Sequence, residues 1–272
     1  MYSLMRWLRC GAWLVAFAML IQPSSAARQG PAGLPRAAAA RGAQAITVFA
    51  ASDLNLAFRQ IIPLFERTTH AKATLVPGSS GTLAQQIANG APADLFFAAS
   101  ERDIDDLARA GLILPDTRTL YARGQIVLIA LKSSAVQVNG LRDLTSPGIR
   151  RVAIANPTHA PYGLAAQQAL ESSGLWSLVQ PKLVFGENVQ QAVQLVQSGA
   201  ADAGIVARSL TESPGIVWTP IDAALHAPLD QVAAVLARTR QRVLAISFLT
   251  LVTGYQGRPI MERFGFLLPG AF

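Results

Sequence analysis

Short apolar runs alternate with stretches of helical periodicity along most of this chain, and the pattern restarts once near the middle. The first block opens with ITVFAA at residues 46–51, and the second opens with RVAIAN at residues 151–156. Alternation of this kind favours a parallel α/β sheet, because the crossover between parallel strands usually contains a helix. Two successive β-α-β-α-β blocks, closed by a C-terminal helix pair, predict two similar lobes with a ligand cleft between them.

The predicted strands share short length and a high content of Val, Ile, Leu, Phe and Ala. They lie at residues 46–51, 72–76, 94–99, 125–131, 151–156, 182–185, 202–207, 215–221 and 230–237. Apolar residues spaced three and four apart predict the helices, for example Phe58, Ile61 and Phe65 after the first strand. The final helices are predicted at about residues 241–255 and 259–264.

The N-terminus has the features of an export signal. Arg6 and Arg9 precede an apolar run at residues 11–21, which is shorter than the roughly 20 residues that a membrane-spanning helix needs. We therefore expect a cleavable signal peptide at residues 1–27, with an uncleaved anchor as the alternative. Residues 28–45 are rich in Ala, Gly and Pro and predict a disordered lead. Export of this kind places the mature protein in the periplasm.

Cysteine content and charge narrow the functional classes. Cys10 is the only cysteine and lies in the predicted signal, so the mature chain needs a core of its own rather than disulfides. The net charge is +7, but five of the 23 Lys and Arg residues and none of the 16 acids lie in the first 45 residues, which leaves +2 for the rest. The sequence contains no stripe of Lys and Arg residues interleaved with aromatic residues. This argues against nucleic acid as a partner.

The short catalytic motifs of hydrolases, metalloproteases and nucleotide-binding enzymes do not occur in the sequence. His70, His159 and His226 are far apart and are expected to be inert surface or loop residues. The sequence leaves open a triad of Ser80, His159 and Asp53, although no local spacing supports it. We predict a protein that is not an enzyme and has no cofactor. A serine hydrolase with Ser80 as nucleophile is the alternative from a different class.

Four segments share one physical feature: a strand ends, a small or turn-forming residue follows, and a helix begins. They lie at residues 52–53, 78–81, 160–163 and 187–189. Helix N-termini offer unpaired N–H groups and the positive end of the helix dipole, so they are suited to anions. Ser, Asp, Asn and Gly are also ordinary caps, and capping is the alternative for any single segment. Taken together, the segments indicate an anion-binding α/β protein.

Five stretches of the chain resemble the molybdate-binding proteins of bacterial ABC importers. They are ITVFAASDL (46–54), GSSGTLAQQIANGAPADLFFAA (78–99), ANPTHAPYGLAAQQAL (155–170), LVFGENVQQAVQLVQSGAADAGIVA (183–207) and ERFGF (262–266). The second stretch is the most specific because it is long and ordered. The resemblance implies a type II periplasmic-binding-protein fold, with two Rossmann-like lobes joined by two hinge strands. It also implies capture of molybdate or tungstate by a monomer that delivers the anion to an inner-membrane permease.

The lobes are expected to close on the ligand about the hinge strands. Lobe 1 is assigned to residues 46–123 plus 238–272, and lobe 2 to residues 124–237. The hinge strands are placed near residues 124–129 and 232–237, so that the second hinge strand is counted with lobe 2.

The resemblance also implies a set of neutral hydrogen-bond donors for the oxyanion. The donors carried over by position are Ser52, the backbone amide of Asp53, Ser80 with its hydroxyl and N–H, Gly81, the backbone amide of Val189, and Tyr162 at the position of another backbone-amide donor. They would bind the oxygens of molybdate, and no residue is expected to bind the metal directly.

Two positions depart from the family pattern. Asp53 stands where the best-known members have serine, and because its carboxylate would repel a dianion we expect it to turn away and cap its helix. Ala207 stands at the family's tyrosine, and Tyr162 is expected to supply the missing phenol. Both departures keep open a binder of sulfate or phosphate, since an acceptor carboxylate suits protonated phosphate. A ligand-sensing domain of a regulator is a third alternative, against which the export signal counts.

Overall fold

The computed structural model describes residues 44–134, 136–212 and 214–272. The predicted signal peptide and residues 28–43 of the predicted lead lie outside these ranges, and the first strand begins at Ala45, the last residue of that lead. No helix within the described ranges is both long and apolar enough to cross a membrane.

The described residues form ten strands and eight α-helices. The strands are β1 (Ala45–Ala51), β2 (Lys72–Gly78), β3 (Leu95–Ala98), β4 (Thr119–Gly124), β5 (Ile126–Leu131), β6 (Val152–Ala155), β7 (Leu183–Gly186), β8 (Ala203–Ala207), β9 (Ile216–Pro220) and β10 (Leu229–Val235). The helices are α1 (Asn55–Thr69), α2 (Ser80–Ala88), α3 (Glu101–Arg109), α4 (Pro161–Ser172), α5 (Trp176–Val179), α6 (Val189–Gln197), α7 (Arg242–Thr253) and α8 (Arg258–Arg263).

Two five-stranded sheets of the same topology form the two lobes, as predicted. The first has the order β2-β1-β3-β10-β4 and the second has the order β7-β6-β8-β5-β9. In each sheet three strands are parallel, namely β2, β1 and β3 in the first and β7, β6 and β8 in the second. One strand of each sheet departs from the predicted parallel arrangement, since β10 in the first sheet and β5 in the second are antiparallel to both of their neighbours. The chain enters β5 from the first sheet and β10 from the second without a crossover α-helix. The edge strands β4 and β9 each lie beside that antiparallel strand and run in the same direction as the three parallel strands.

The chain passes between the two sheets at two places. On the way out, β4 of the first sheet and β5 of the second are separated only by Gln125. On the way back, β9 of the second sheet and β10 of the first are separated by residues 221–228. We predicted a hinge strand at residues 232–237 and the end of lobe 2 at residue 237. This prediction is wrong, because β10 lies in the first sheet and pairs there with β3 and β4.

The core of the first lobe explains how the end of β1 is held in place. Helix α1 buries Phe58, Ile61 and Phe65 completely or nearly so. The Phe58 ring meets the Phe97 and Phe248 rings edge to face, with centroids 5.0 and 5.5 Å apart, an arrangement that stabilises aromatic clusters beyond the area buried. Because α1 is fixed against the sheet, the short 3-10 helix Ser52–Leu54 between β1 and α1 is fixed as well.

Candidate functional site

The four predicted turn segments all lie where a strand of one sheet gives way to a helix. The 3-10 helix Ser52–Leu54 follows β1, and α2 begins two residues after β2. In the second lobe α4 follows β6 and α6 follows β7. Two of these helix N-termini therefore belong to each lobe. Within the described part of the chain, residues at these N-termini form three hydrogen-bonded contacts between the lobes.

The first contact joins Ser52 to the start of α6. The backbone N–H of Gln190 donates to Ser52 Oγ at 3.4 Å, and the Asn55 side-chain amide donates to the Gln190 side-chain oxygen. Ser52 and Val189 are both buried. The structure thus brings the Ser52 turn of the first lobe to the Val189 turn of the second.

The second contact joins the α2 turn to the loop before α4. Ser79 Oγ and His159 Nδ1 are 2.8 Å apart, and the N–H of Gly81 donates to the His159 carbonyl at 3.0 Å. Ser80 is fully buried beside them, and its Oγ accepts the N–H of Ala99 at 2.8 Å. That bond occupies a lone pair of Ser80 and leaves the hydroxyl proton available for another acceptor.

The third contact centres on Asp53, whose carboxylate does not cap a helix. Neither the 3-10 helix nor α1 has a side-chain cap. Asp53 Oδ2 instead accepts from the Tyr162 hydroxyl at 2.9 Å and from Gln231 Nε2 at 2.7 Å. Ser209 of the second lobe donates to the Asp53 carbonyl at 2.8 Å. The prediction that Asp53 turns away to cap its helix is wrong, because a fully buried carboxylate is better satisfied by these donors.

Burial is the main influence on the ionisation of this carboxyl. It raises the pKa of Asp53 from 3.8 to about 6, although the hydrogen bonds from Gln231 and Tyr162, and the nearby amides of Asp53 and Leu54, oppose the shift. Since the folded-state pKa is raised, the contribution of Asp53 to stability is complete below pH 3.8 and is lost as the pH rises through about 6. Burial also raises the pKa of Tyr162 and of Tyr121, and the Asp53 charge adds to both shifts.

Tyr162 is engaged with Asp53 in this structure. A phenol carries one proton, and that of Tyr162 is donated to Asp53, so it is not available to an oxyanion in the same arrangement. Gly124 at the end of β4 makes room for the ring, since a Cβ there would overlap the phenol oxygen. Ala207 ends β8, pairs with Ile126 and is buried.

The triad that the sequence left open is not formed. His159 Nδ1 bonds to Ser79 rather than to Ser80, and its Nε2 lies 3.6 Å from the Glu187 carboxylate. The Asp53 carboxylate bonds to Tyr162 and Gln231. His159 lies in the loop before α4, as expected, and its side chain and its carbonyl both join the lobes.

Sequence reasoning missed the residues that pair with the predicted ones. Three of them, Asn55, Gln190 and Ser209, form hydrogen bonds between the lobes. The fourth, Gln231, belongs to the Asp53 cluster, which consists of Asp53, Tyr121, Tyr162 and Gln231. Gln231 carried a signal, because it is the uncharged polar residue of the apolar run DQVAAVLA and is completely buried on β10.

One predicted turn residue acts as an ordinary cap. The Asn188 side chain accepts the Gln191 N–H at 3.1 Å at the start of α6. Asn188→Ala is expected to lower the free energy of unfolding by about 1 kcal/mol, because that N–H loses its partner. Urea denaturation would measure the change, with Asn188→Asp as the control that keeps the cap. An Ala variant with an unchanged midpoint would contradict this role.

The site offers uncharged donors rather than metal ligands. Within residues 44–134, 136–212 and 214–272, no group of three His, Cys, Asp or Glu side chains could hold a metal ion. Backbone amides at helix starts and serine hydroxyls suit the oxygens of an anion.

Comparisons with known proteins identify the family of this chain. A family model described as bacterial extracellular solute-binding protein matches residues 46–267 of this chain. The molybdate-binding protein ModA of Azotobacter vinelandii is 31% identical over 235 residues, which cover 85% of this chain and 92% of that protein. ModA of Mycobacterium tuberculosis (strain ATCC 25618 / H37Rv) is 30% identical over 269 residues, 97% of this chain and 100% of that protein. The structure of the A. vinelandii periplasmic molybdate-binding protein is similar with a TM-score of 0.77 at 33% identity, covering 82% of this chain and 99% of that chain.

Proposed function

Because this chain belongs to the bacterial extracellular solute-binding proteins and, within them, to the molybdate-binding proteins, we propose that it captures molybdate or tungstate between its lobes for an ABC importer. The observation that carries the proposal is the pairing of donor-bearing turns across the lobes. Ser52 meets the start of α6, and Gly81 meets the loop before α4. Turns that pair in this way can surround an anion from both sides.

The proposed mechanism uses neutral donors. A dianion that leaves water needs several hydrogen bonds already aimed at its oxygens. Ser52, Ser80, Val189 and the Asp53 amide are proposed to supply them. Gly81 and Tyr162 join them only when their hydrogen bonds to the His159 carbonyl and to Asp53 open. Neutral donors avoid ion pairs, which would bind anions of many kinds. Selection by size then follows from the spacing of the donors across the two lobes.

Closure of the lobes is proposed to complete the site. The chain passes between the sheets at Gln125 and at residues 221–228, and rotation there would open and close the contacts at Ser52, Gly81 and Asp53. The closed form is proposed to be the one that the permease binds.

Several finer statements belong to the same proposal. We propose that the protein is exported to the periplasm by a cleavable signal peptide and works as a monomer. Its partners are the oxyanion and an inner-membrane permease, without nucleic acid and without a cofactor. We also propose that it is a binding protein and not an enzyme. Hydrolysis of an activated ester that is abolished by Ser80→Ala would contradict this last statement.

One observation favours a second ligand class. The Asp53 carboxyl lies at the contact between the lobes, where it could accept a hydrogen bond from a protonated oxyanion such as hydrogen phosphate. Molybdate and tungstate carry no such proton at neutral pH. Their binding requires that the ionised form of the Asp53 carboxyl does not face the ligand.

Calorimetric titration of the mature protein with molybdate, tungstate, sulfate, phosphate and chromate tests the proposal. Molybdate and tungstate are expected to bind one to one, with sulfate at least about 100-fold weaker, a difference of about 2.7 kcal/mol. Tight binding of phosphate and none of molybdate would select the second ligand class. Folded protein that binds none of the five anions would contradict both.

A further inference from the structure

The hydrogen bonds around Asp53 have a fixed direction. The Tyr121 hydroxyl donates to Gln231 Oε1 at 2.7 Å and lies 3.4 Å from the Ala98 carbonyl, and the amide nitrogen of Gln231 faces the other way. Gln231 Nε2 donates to Asp53 Oδ2 at 2.7 Å and lies 2.9 Å from the Tyr162 oxygen. Tyr162 in turn donates its proton to the same Oδ2 at 2.9 Å. The two side chains that donate to the Asp53 carboxyl are therefore both directed at the same oxygen, Oδ2.

The other oxygen, Oδ1, has no partner. It is the one buried side-chain nitrogen or oxygen atom without a hydrogen bond among the described residues. Asp53 itself has no exposed surface. A charged oxygen left unpaired in such a place costs several kcal/mol, whereas a protonated oxygen that donates to a ligand does not. Oδ1 also belongs to the residue that follows Ser52, in the same short turn at the contact between the lobes.

We infer that Asp53 binds the oxyanion as a neutral carboxylic acid whose Oδ1–H donates to the ligand, so that each bound dianion brings one proton from solvent into the site. This inference rests on the proposed function. Oδ2 keeps its two donors, and the new Oδ1–H···O bond resembles the strong bonds between neutral donors and anions. A residue that would repel the dianion as a carboxylate becomes one of its donors.

Among the described residues, no cation is one of the groups that shift the pKa of Asp53. The titratable groups that face it are Tyr162 from α4 and Tyr121 from β4, both neutral at physiological pH because burial raises the pKa of each. Gln231 from β10 is uncharged, and Ser209 donates to the Asp53 carbonyl rather than to its carboxyl. A bound dianion would be the largest charge nearby, and it favours the protonated form of Asp53.

Proton uptake makes the affinity depend on pH in a predictable way. Burial raises the pKa of Asp53 to about 6 in the ligand-free protein, so above that pH the protein must be protonated before it binds. The Kd for molybdate is expected to rise about 50-fold between pH 6 and pH 8, while molybdate itself stays a dianion. Asp53→Asn places an N–H donor where Oδ1–H would be and keeps an acceptor for Tyr162 and Gln231, so its affinity should be nearly independent of pH.

The experiment is calorimetry with molybdate from pH 6 to pH 8, each point in two buffers with different ionisation enthalpies. The wild-type protein is expected to take up close to one proton per molybdate at pH 8, and Asp53→Asn none. Asp103→Asn is the matched control, because burial raises the pKa of Asp103 to about 6 as well, but this residue lies on α3 outside the Asp53 cluster. It should keep the wild-type proton uptake and pH dependence.

The outcomes separate this inference from the proposed function. Molybdate binding by the wild-type protein without proton uptake, and with the same affinity at pH 6 and pH 8, would overturn the inference and leave the proposed function intact. A wild-type protein that is folded and binds no molybdate at any of these pH values would overturn the proposed function itself. The number of protons that the wild-type protein takes up per molybdate tests the inference even if Asp53→Asn does not fold.

Discussion

Gly81→Val is expected to weaken molybdate binding by at least about 100-fold while both lobes stay folded, a loss of about 2.7 kcal/mol. A Cβ at position 81 would lie 2.7 Å from the His159 carbonyl oxygen and 3.2 Å from His159 Cα. Both are backbone atoms of the opposite lobe, so the overlap can be relieved only by moving the lobes apart. The substitution therefore acts on closure rather than on the core of either lobe.

Gly140→Val is the matched control for this experiment. Position 140 has an extended backbone with φ of −172°, and nothing lies within 4 Å of a Cβ there. The control should bind molybdate as the wild-type protein does. Thermal unfolding and calorimetry of both variants would measure the effects. Wild-type affinity in folded Gly81→Val would mean that the ligand is bound without the contact between α2 and the loop before α4.

Ser80→Ala is expected to weaken molybdate binding by roughly 10- to 150-fold, the value of one hydrogen bond to a charged group at about 1.5–3 kcal/mol. The substitution also removes the partner of the buried Ala99 N–H, so the free energy of unfolding should fall by about 1–3 kcal/mol. Binding and stability both decrease, and a control has to separate the two.

Thr117→Val provides that control. Thr117 is buried in the first lobe, away from the interlobe contacts, and its Oγ1 accepts the Val235 N–H at 3.0 Å just as Ser80 Oγ accepts that of Ala99. Chemical denaturation should therefore show a similar loss of stability in both variants, whereas calorimetry should show weaker binding in Ser80→Ala alone. Equal affinities in the two variants would remove Ser80 from the binding site.

The fold was predictable where the local sequence has the pattern of a buried strand or of a helix with one apolar face. The apolar runs that became β1, β6 and β8 are flanked by helices with one apolar face, and the order of these elements predicts two similar lobes. The strand β4 was missed because its sequence TLYARG mixes polar and apolar residues, and α5 is a single turn too short for periodicity. The lobe to which β10 belongs was not predictable, since an apolar strand fits the centre of either sheet.

The positions of the site turns were predictable for a similar reason, but the directions of their side chains were not. Ser52, Ser80 and Val189 lie at strand-to-helix junctions that small and capping residues mark in the sequence. The orientation of Asp53 depends on Tyr162 and Gln231, which are 109 and 178 residues away along the chain. The pairing of Ser79 with His159 likewise spans 80 residues. Contacts of this kind are set by tertiary packing, which periodicity does not report.

The place of β10 in the first sheet also sets the order in which the chain can assemble. β10 lies between β3 and β4, and β4 has no other strand beside it in the sheet. All five strands of the second sheet fall between residues 126 and 220, so that sheet has every strand it needs before residues 229–235 have been synthesised. A chain made from its N-terminus can finish the second lobe first. The first strands of the first lobe are synthesised earlier, but this lobe is completed last. It is complete when β10 enters between β3 and β4 and brings Gln231 into contact with Asp53.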